Sequence, residues 1–296
     1  MSAPSASDAP PAPRKGRRPL PRALRNPSVL IGLVVIGLVL VAAIAAPLLW
    51  TGDPILLRPR MRLRPPSAAA WLGTDQFGRD VYSRVVYGAR ISLVVGFAVA
   101  FVAVVIGTFI GVVAGYFRIV DLVVMRIMDG IMAIPSILLA IALVTLSGAG
   151  ILTVIVAIVI PEIPRVARLV RSVVLTVREE PYVEAALGVG TPTPVVLWRH
   201  VLPNTIAPLI VQATYICGAA ILTEAILSFL GAGIPTEIPS WGNIMAEGRQ
   251  SFQIAPGVIL FPGICVAMTV LAINIMGDGL RDTLDPRLAR RLGNMR

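Results

Sequence analysis

The sequence predicts an all-α integral membrane protein with six transmembrane helices and both termini in the cytoplasm. Three observations carry that prediction. Apolar residues make up 56% of the chain against 14% charged, and mean hydropathy is +0.83. A water-soluble domain cannot hide that much apolar surface. The apolar residues also fall in runs of the length needed to cross a bilayer core, about 20 helical residues, and the basic residues are divided unevenly between the two sides those runs define.

Residues 1–27 are rich in Ser, Ala and Pro and then basic, with Arg14, Lys15, Arg17, Arg18, Arg22 and Arg25. Such a composition buries no core and predicts a disordered cytoplasmic tail beside the membrane. Residues 28–50 are the first apolar run. A secretory signal competes, helped by the small residues Ala43, Ala45 and Ala46. A signal's apolar region is only about 7–15 residues, however, so the longer run here reads as a retained span. Residues 51–90 are polar, proline-punctuated and arginine-rich (Arg58, Arg60, Arg62, Arg64), and form an extracytoplasmic loop. Asp75 or Thr74 can cap a turn, and the Arg/Asp alternation up to Arg84 suggests an interfacial helix entering the next span. The plainer reading is a solvated, charge-balanced loop.

Residues 91–276 are read as a five-helix core. Its first helix, Ile91 to Tyr116, carries Gly107, Gly111 and Gly115, a four-residue repeat that places the glycines on one face as a helix-packing seam. The next, about Leu122 to Leu146, has Asp129 near its start and Pro135 inside, which predicts a kink. Another begins at Ile151, is interrupted by Pro161-Glu162-Ile163-Pro164, and continues with Arg165, Arg168 and Arg171 on one face, directed at headgroups or a partner protein. The fifth span, Ile206 to Leu230, holds Gln212 and Glu224. A Gly/Pro-rich connection, 231–255, leads to the last span, Pro256 to Met276, and residues 277–296 form a cytoplasmic C-terminal tail. Cys217 and Cys265 lie within apolar spans without disulfide or metal-ligand spacing and read as small core residues.

Orientation follows from the basic residues. With the tails inside, the cytoplasmic side holds six in the N-terminal tail, Arg118 and Arg126, five from Arg165 to Arg199, and five after Met276. The other side holds eight, seven of them between Arg58 and Arg90. The excess favours cytoplasmic tails, and the first outer loop runs against the rule locally. This basicity belongs to membrane topology and lipid contact; there is no basic soluble domain that would bind nucleic acid.

Charges inside hydrocarbon are costly and single out Asp129, Glu162 and Glu224. Asp129 and Glu162 have Arg126 and Arg165 three residues away on the same helical faces, the geometry of local ion pairs. Glu224 has no basic residue nearby in sequence, and either contacts a translocation path or hydrogen-bonds a neighbouring helix; Gln212 is a second candidate of that kind. Intramembrane proteolysis lacks its residues: the single histidine, His200, falls in a polar loop, so neither a His-Glu-x-x-His metal site nor a histidine base within the bilayer is available. Lys15 is the only lysine, and it stands in Arg14-Lys15-Gly16, not in a phosphate-binding loop. ATP-driven work by this chain would need another subunit. An ion-coupled transporter or channel is the remaining rival, expected to show inverted repeats or unwound spans.

Residues 178–203 organise the rest. Pro181 to Leu187 can form a short helix, Gly188 and Gly190 can end it in the left-handed conformation, and Thr193-Pro194 offers a cap and first turn for a second helix bounded by Pro203. On local pattern alone an ordinary interhelical loop is as good a reading. The order Glu184-Ala185-Ala186, three residues, Gly190, nine residues, His200, one residue, Leu202-Pro203 resembles the EAA signature of ABC-importer permeases. The departure is His200, where that pattern prefers isoleucine.

Further stretches extend the resemblance over about Trp71 to Pro286: Leu72-Gly-Thr-Asp75, Gly115-Tyr-Phe with Met125-Arg-Ile-Met-Asp129, the segment around Glu224, Pro239-Ser-Trp-Gly242, and the Gly277-Asp-Gly-Leu-Arg-Asp ending. Together they are similar to the C-type permease subunit of dipeptide/oligopeptide importers. The resemblance implies a permease fold with a cytoplasmic coupling helix, and Glu184, Ala185, Ala186, Gly190, Trp198, Arg199, His200, Leu202 and Pro203 as the ATPase-coupling residues. It implies pairing with a paralogous permease, two ATPase subunits that bind ATP and Mg in place of this chain, and an extracytoplasmic substrate-binding protein. It further implies a bacterial inner-membrane location and non-catalytic alternating access. Peptides are the implied substrate; nickel chelates, haem or glutathione are the alternatives within the same machinery.

Overall fold

The computed structural model describes Leu24 and residues 26–284; the expected tail before Leu24, and the arginines after Leu284, lie outside the described residues. All regular structure among the described residues is helical, with only two isolated bridges, Ser67 with Ala70 and Thr74 with Asp80.

Helix α1 spans Pro27–Ile44: Asn26 caps it by accepting from the Ser28 N–H at 2.9 Å, and Pro27 occupies its first position. It ends at Ile44, short of the expected residue 50, and a 3-10 turn, Ala46–Leu48, follows. Helix α2, Val81–Tyr116, starts ten residues before the expected Ile91 because Asp80 caps it, accepting from Ser83 N–H at 2.9 Å. At 36 residues it is about 54 Å long, well beyond the hydrocarbon thickness of a bilayer. The only helix before it in the 51–80 stretch is the short turn Pro59–Met61, so the helical part of the anticipated interfacial segment is the first turns of α2 itself.

The third apolar run is two helices, not one kinked span. Helices α3 (Arg118–Met132) and α4 (Ser136–Ser147) meet at 86°. A residue before proline disfavours the helical region, the position Ile134 holds here, and Pro135 itself is extended (ψ 125°), so the chain turns instead of bending. The opposite correction applies to α5, Ile151–Arg178, which runs through Pro161 and Pro164 without a break. Both prolines are buried, and packing on neighbouring helices holds the helix on course where local propensity would end it.

Three more corrections follow the same logic. After α6 (Pro181–Gly188), helix α7 (Thr193–Val196) passes through a π turn at Leu197–Val201 into α8 (Leu202–Phe229), so the fifth span does not begin at Ile206 but continues from the loop. Pro203 bounds nothing; it sits in the first turn of α8. In the 231–255 connection lies α9, Trp241–Gly248, capped by Ser240, and α10, Gly257–Leu284, continues eight residues past Met276.

The core is built on α2. Its pairing with α5 is the most extensive in the molecule, and the three-glycine seam faces it. A Cβ on Gly107 would meet Val166 Cβ at 2.5 Å, one on Gly111 the Ala167 carbonyl at 2.6 Å, and one on Gly115 Val174 Cβ at 2.8 Å. Helix α1 packs against α10, where a Cβ on Gly32 would lie 2.6 Å from the Ala272 carbonyl. Asn26 Nδ2 donates to the Gly279 carbonyl at 3.3 Å, which brings the two described ends of the chain side by side.

The α2–α5 contact generates a stability test. Gly111→Leu should lower the apparent melting temperature of the detergent-purified protein, with a cost of about 1–3 kcal/mol or more from overpacking. Gly130→Leu is the control, since nothing lies within 4 Å of its added Cβ. Equal stability of the two variants would rule out the seam.

Candidate functional site

The polar insert is an ordered hairpin of helices. Glu180 is the N-cap of α6, with Pro181 at its first position. The helix closes in a Schellman arrangement: Thr191 N–H reaches the Ala186 carbonyl at 3.0 Å and Gly190 N–H the Leu187 carbonyl at 2.9 Å. That closure puts Gly190 at φ +83°, a conformation glycine adopts without a Cβ penalty. Gly188, by contrast, stays helical. Pro192, not Thr193, is the cap residue of α7, so Thr193 and Pro194 are its first two helical positions.

Val183, Val196 and Val201 are buried and fix the hairpin to the helical body. The rings of Tyr182 and His200 meet at a tilt of 51°, 6.0 Å between centroids, and Asn204 Nδ2 donates to both the Tyr182 hydroxyl (3.3 Å) and the His200 carbonyl (2.6 Å). What remains outward is apolar and mixed in charge, with Glu179, Glu180, Glu184 and Arg199 all exposed. Val189 is 83% and Trp198 75% exposed, beside a groove of about 550 Å³ lined by Pro194, Val195, Trp198, Arg199 and Pro203. Glu184 and Ala185 are exposed, whereas Ala186, His200 and Leu202 are half-buried. Trp198 stands in the π turn between the buried Val196 and Val201, and an exposed tryptophan so held is the kind of surface that suits contact with another protein.

Glu224 lies in the opposite environment. It is fully buried, and its carboxylate accepts from Ser92 Oγ on α2 (3.3 Å), Ser228 Oγ on α8 (2.9 Å) and Ser240 Oγ at the α9 cap (2.8 Å). Ser240 also accepts from Asn243 N–H, and Asn243 Nδ2 donates to the carbonyls of Ile234, Pro235 and Ile238. Glu224 thus ties three elements together through hydroxyl groups, with no cation among its described partners.

The three candidate path residues are not assembled into one site. Gln212 is half-buried on α8, three turns and more from Glu224, or about 18 Å along the axis. Asp129 is half-exposed on α3 and pairs with Arg168 of α5, not with Arg126 on its own helix. Glu162 does pair with Arg165, and Arg171 embraces Asp121 of α3 with both Nε and Nη2, the latter at 2.6 Å. The arginine face of α5 therefore forms a ladder of ion pairs.

One cluster has no counterpart in the sequence reading. Asp75 Oδ2 lies 2.7 Å from Arg79 Nε and 2.8 Å from Arg84 Nη1, and Glu247 Oε2 bonds both arginines. All four side chains are 8% exposed or less. Asp75 Oδ1 additionally accepts from the Phe77 and Arg79 N–H groups at 2.8 and 2.9 Å. This overturns the picture of a solvated, charge-balanced loop: two positive and two negative charges are dried together at the head of α2. The sequence hint was local and ambiguous, since Asp75 and Asp80 both lie near Arg79 and Arg84 and Asp80 is taken up by the cap of α2. The second carboxylate comes from α9, 163 residues after Arg84.

Comparison with known proteins adds the following. Residues 103–290 match the family described as the binding-protein-dependent transport system inner membrane component. A probable peptide ABC transporter permease of Sinorhizobium fredii is 56% identical, over 91% of this chain and 92% of that protein. A dipeptide transport system permease of Alkalihalophilus pseudofirmus is 44% identical over 89% and 87%. A glutathione transport system permease of Pectobacterium atrosepticum is 44% identical over 75% and 74%. Among solved structures, a chain of the MetNI methionine ABC transporter in inward-facing conformations superposes with a TM-score of 0.54 at 22% identity, covering 68% of this chain and 96% of that one. That likeness concerns the fold.

The contrast between the dry and the wet ion pairs is measurable. Arg84→Met should destabilise the purified protein by about 3–5 kcal/mol, because it leaves buried carboxylates short of a partner. Arg168→Met breaks a pair that is 46% and 49% exposed and should cost no more than about 1 kcal/mol. Thermal unfolding of the two variants that gave equal losses would contradict this ranking.

Proposed function

Because this chain belongs to the family of binding-protein-dependent transport system inner membrane components, we propose that it is the permease subunit of an ATP-driven importer of peptides. Its peptide and dipeptide relatives support the substrate class. In this reading it is a multi-pass protein of the bacterial inner membrane, its spans being α1, α2, the bent pair α3–α4, α5, the α7–α8 unit and α10. Both tails and the α6–α7 hairpin face the cytoplasm, as the distribution of basic residues favours.

The observation that carries the mechanism is the continuity of the hairpin with two long helices. Only Glu179 and Glu180 separate α5 from α6, and α7 runs through the π turn into α8. A displacement of the hairpin is therefore delivered to α5 and α8 as rigid bodies, not absorbed in a slack linker. We assign Glu184, Ala185, Ala186, Gly190, Trp198, Arg199, His200, Leu202 and Pro203 to the surface met by an ATPase subunit. ATP and Mg belong to two such subunits; this chain performs no chemistry. It pairs with a paralogous permease, receives substrate from an extracytoplasmic binding protein, and opens alternately to the two sides as the ATPases close and release.

Reconstitution of the whole complex in vesicles, with ATP hydrolysis and uptake measured against peptides, glutathione, metal chelates and haem, tests the reading. Peptide-stimulated hydrolysis with peptide uptake is the expected result. Hydrolysis that no peptide stimulates would overturn the substrate assignment. Gly190→Pro forces φ to about −65° at a position held at +83°, and Glu184→Lys reverses an exposed charge on α6. Each should insert normally in the membrane and lose uptake; normal uptake by either variant would refute the coupling role of the hairpin.

A further inference from the structure

Helices α8 and α10 share an open face. Between them runs a groove of about 620 Å³, walled by residues such as Leu222, Ile226 and Phe229 of α8 and Val270 and Leu271 of α10. Asn274 is the one polar residue in its lining. Leu222, Leu230 and Leu271 stand exposed along it. An open apolar face on a membrane helix is ordinary, because lipid tails are as apolar as leucine. This one is set apart by its length and by its two unlike ends.

The helical rise gives the length. Along α10 the lining runs from Gly263 to Asn274, about 16 Å at 1.5 Å per residue. The hydrocarbon core of a bilayer is about 30 Å thick, so the groove is as deep as one leaflet. At the Gly263 end α9 bounds it: Met245 is part of the lining, and its Sδ lies 3.6 Å from where a Cβ on Gly263 would be. A membrane-crossing helix of another subunit would need a seat through the full thickness. A groove one leaflet deep and bounded at its far end suits acyl chains.

The other end is polar. Residues seven apart on a helix lie within about 20° of the same face. Tyr215 therefore continues the stripe of Leu222 and Phe229, Asp278 that of Leu271, and Arg281 that of Asn274. The Tyr215 hydroxyl donates to the Asp278 carboxylate, and Arg281 stands beside that hydroxyl. Asp278 and Arg281 are both exposed, and neither makes an ion pair among the described residues. The sequence itself sets where hydrocarbon stops. Residues 257–276 contain no Asp, Glu, Lys or Arg, about the length of one span, and Asp278 follows directly. Tyrosine belongs at such a boundary. Along α8, Tyr215 lies between the groove and the α6–α7 hairpin, so the polar end is the hairpin end.

We infer that the groove holds one phospholipid of the leaflet on the hairpin side, with a headgroup that carries both a phosphate and an ammonium. The acyl chains fill the apolar groove. The Arg281 guanidinium pairs with the phosphate, and Asp278, oriented by Tyr215, accepts from the ammonium. Side chains three apart on a helix are neighbours at about 5–6 Å, which sets cation and anion side by side as they are in such a headgroup. A headgroup with phosphate alone would bring like charge to Asp278, so the site selects against it. The inference requires a chain embedded in the membrane and does not depend on which solute is transported.

The test uses the full-length protein in its complex, delipidated in detergent and titrated separately with phosphatidylethanolamine and phosphatidylglycerol. Bound lipid is counted by native mass spectrometry. Wild type should show one site that prefers phosphatidylethanolamine by about fivefold, the scale of one half-exposed charge pair. Ala267→Trp puts a large side chain on an exposed position of the groove wall, and should abolish the site while the subunits stay together. Asp278→Asn should still bind lipid and lose the preference. Equal binding of the two lipids by wild type would overturn the inference, as would an unchanged site in Ala267→Trp or an unchanged preference in Asp278→Asn. An Ala267→Trp complex that sheds a second permease subunit would give the groove to that subunit and overturn the lipid assignment.

Discussion

The close approach of α2 and α5 along Gly107, Gly111 and Gly115 is the contact on which the rest of the molecule depends. With a side chain at any of these positions, the backbones would have to separate by an ångström or more, and Val166, Val170 and Val174 would lose the surface they fill. Helix α5 carries the arginine ladder and leads into the α6–α7 hairpin; α2 carries the capped N-terminal end and the buried quartet. The seam fixes the relation between those two ends of the protein. In a membrane, where lipid tails are as apolar as the side chains, such shape-matched packing is what holds helices together.

Charge is handled in three distinct ways. The quartet of Asp75, Arg79, Arg84 and Glu247 is dry and balanced, so each member is stabilised only while the others are present. The ladder between α3 and α5 is half-exposed, and water screens it. Glu224 has no cation among its described partners and is satisfied by three serine hydroxyls from three elements. The quartet and Glu224 converge on α9 and its cap, so the short helix between α8 and α10 is pinned to α2 from two sides. The element that looked least structured in composition is among the most tightly held.

Proline governs how force is carried. At Pro135 the backbone turns through 86°, while at Pro161, Pro164, Pro203 and Pro208 the helices run on. The difference lies in packing: α5 and α8 have buried faces on both sides of their prolines, whereas α3 and α4 bury few residues each. The α6–α7 hairpin therefore joins two rods that run on through their prolines, and Gly190 within it is itself locked by a closed helix cap.

Much of this was legible along the chain. Apolar runs are a property of composition, so the membrane class and the approximate positions of the long apolar helices could be read directly. The glycine repeat, the Glu162–Arg165 pair and the Pro181–Gly188 helix follow from three- and four-residue spacings that any α-helix converts into neighbours. The tertiary structure alone decided the partner of Asp129, the continuity of α5 through two prolines, the burial of Arg84 and the meeting of Asp75 with Glu247. Each of these joins residues on different elements or sets packing against local propensity. Sequence records short-range geometry faithfully because the helix has a fixed period; it carries no comparable ruler for which helices come to lie side by side.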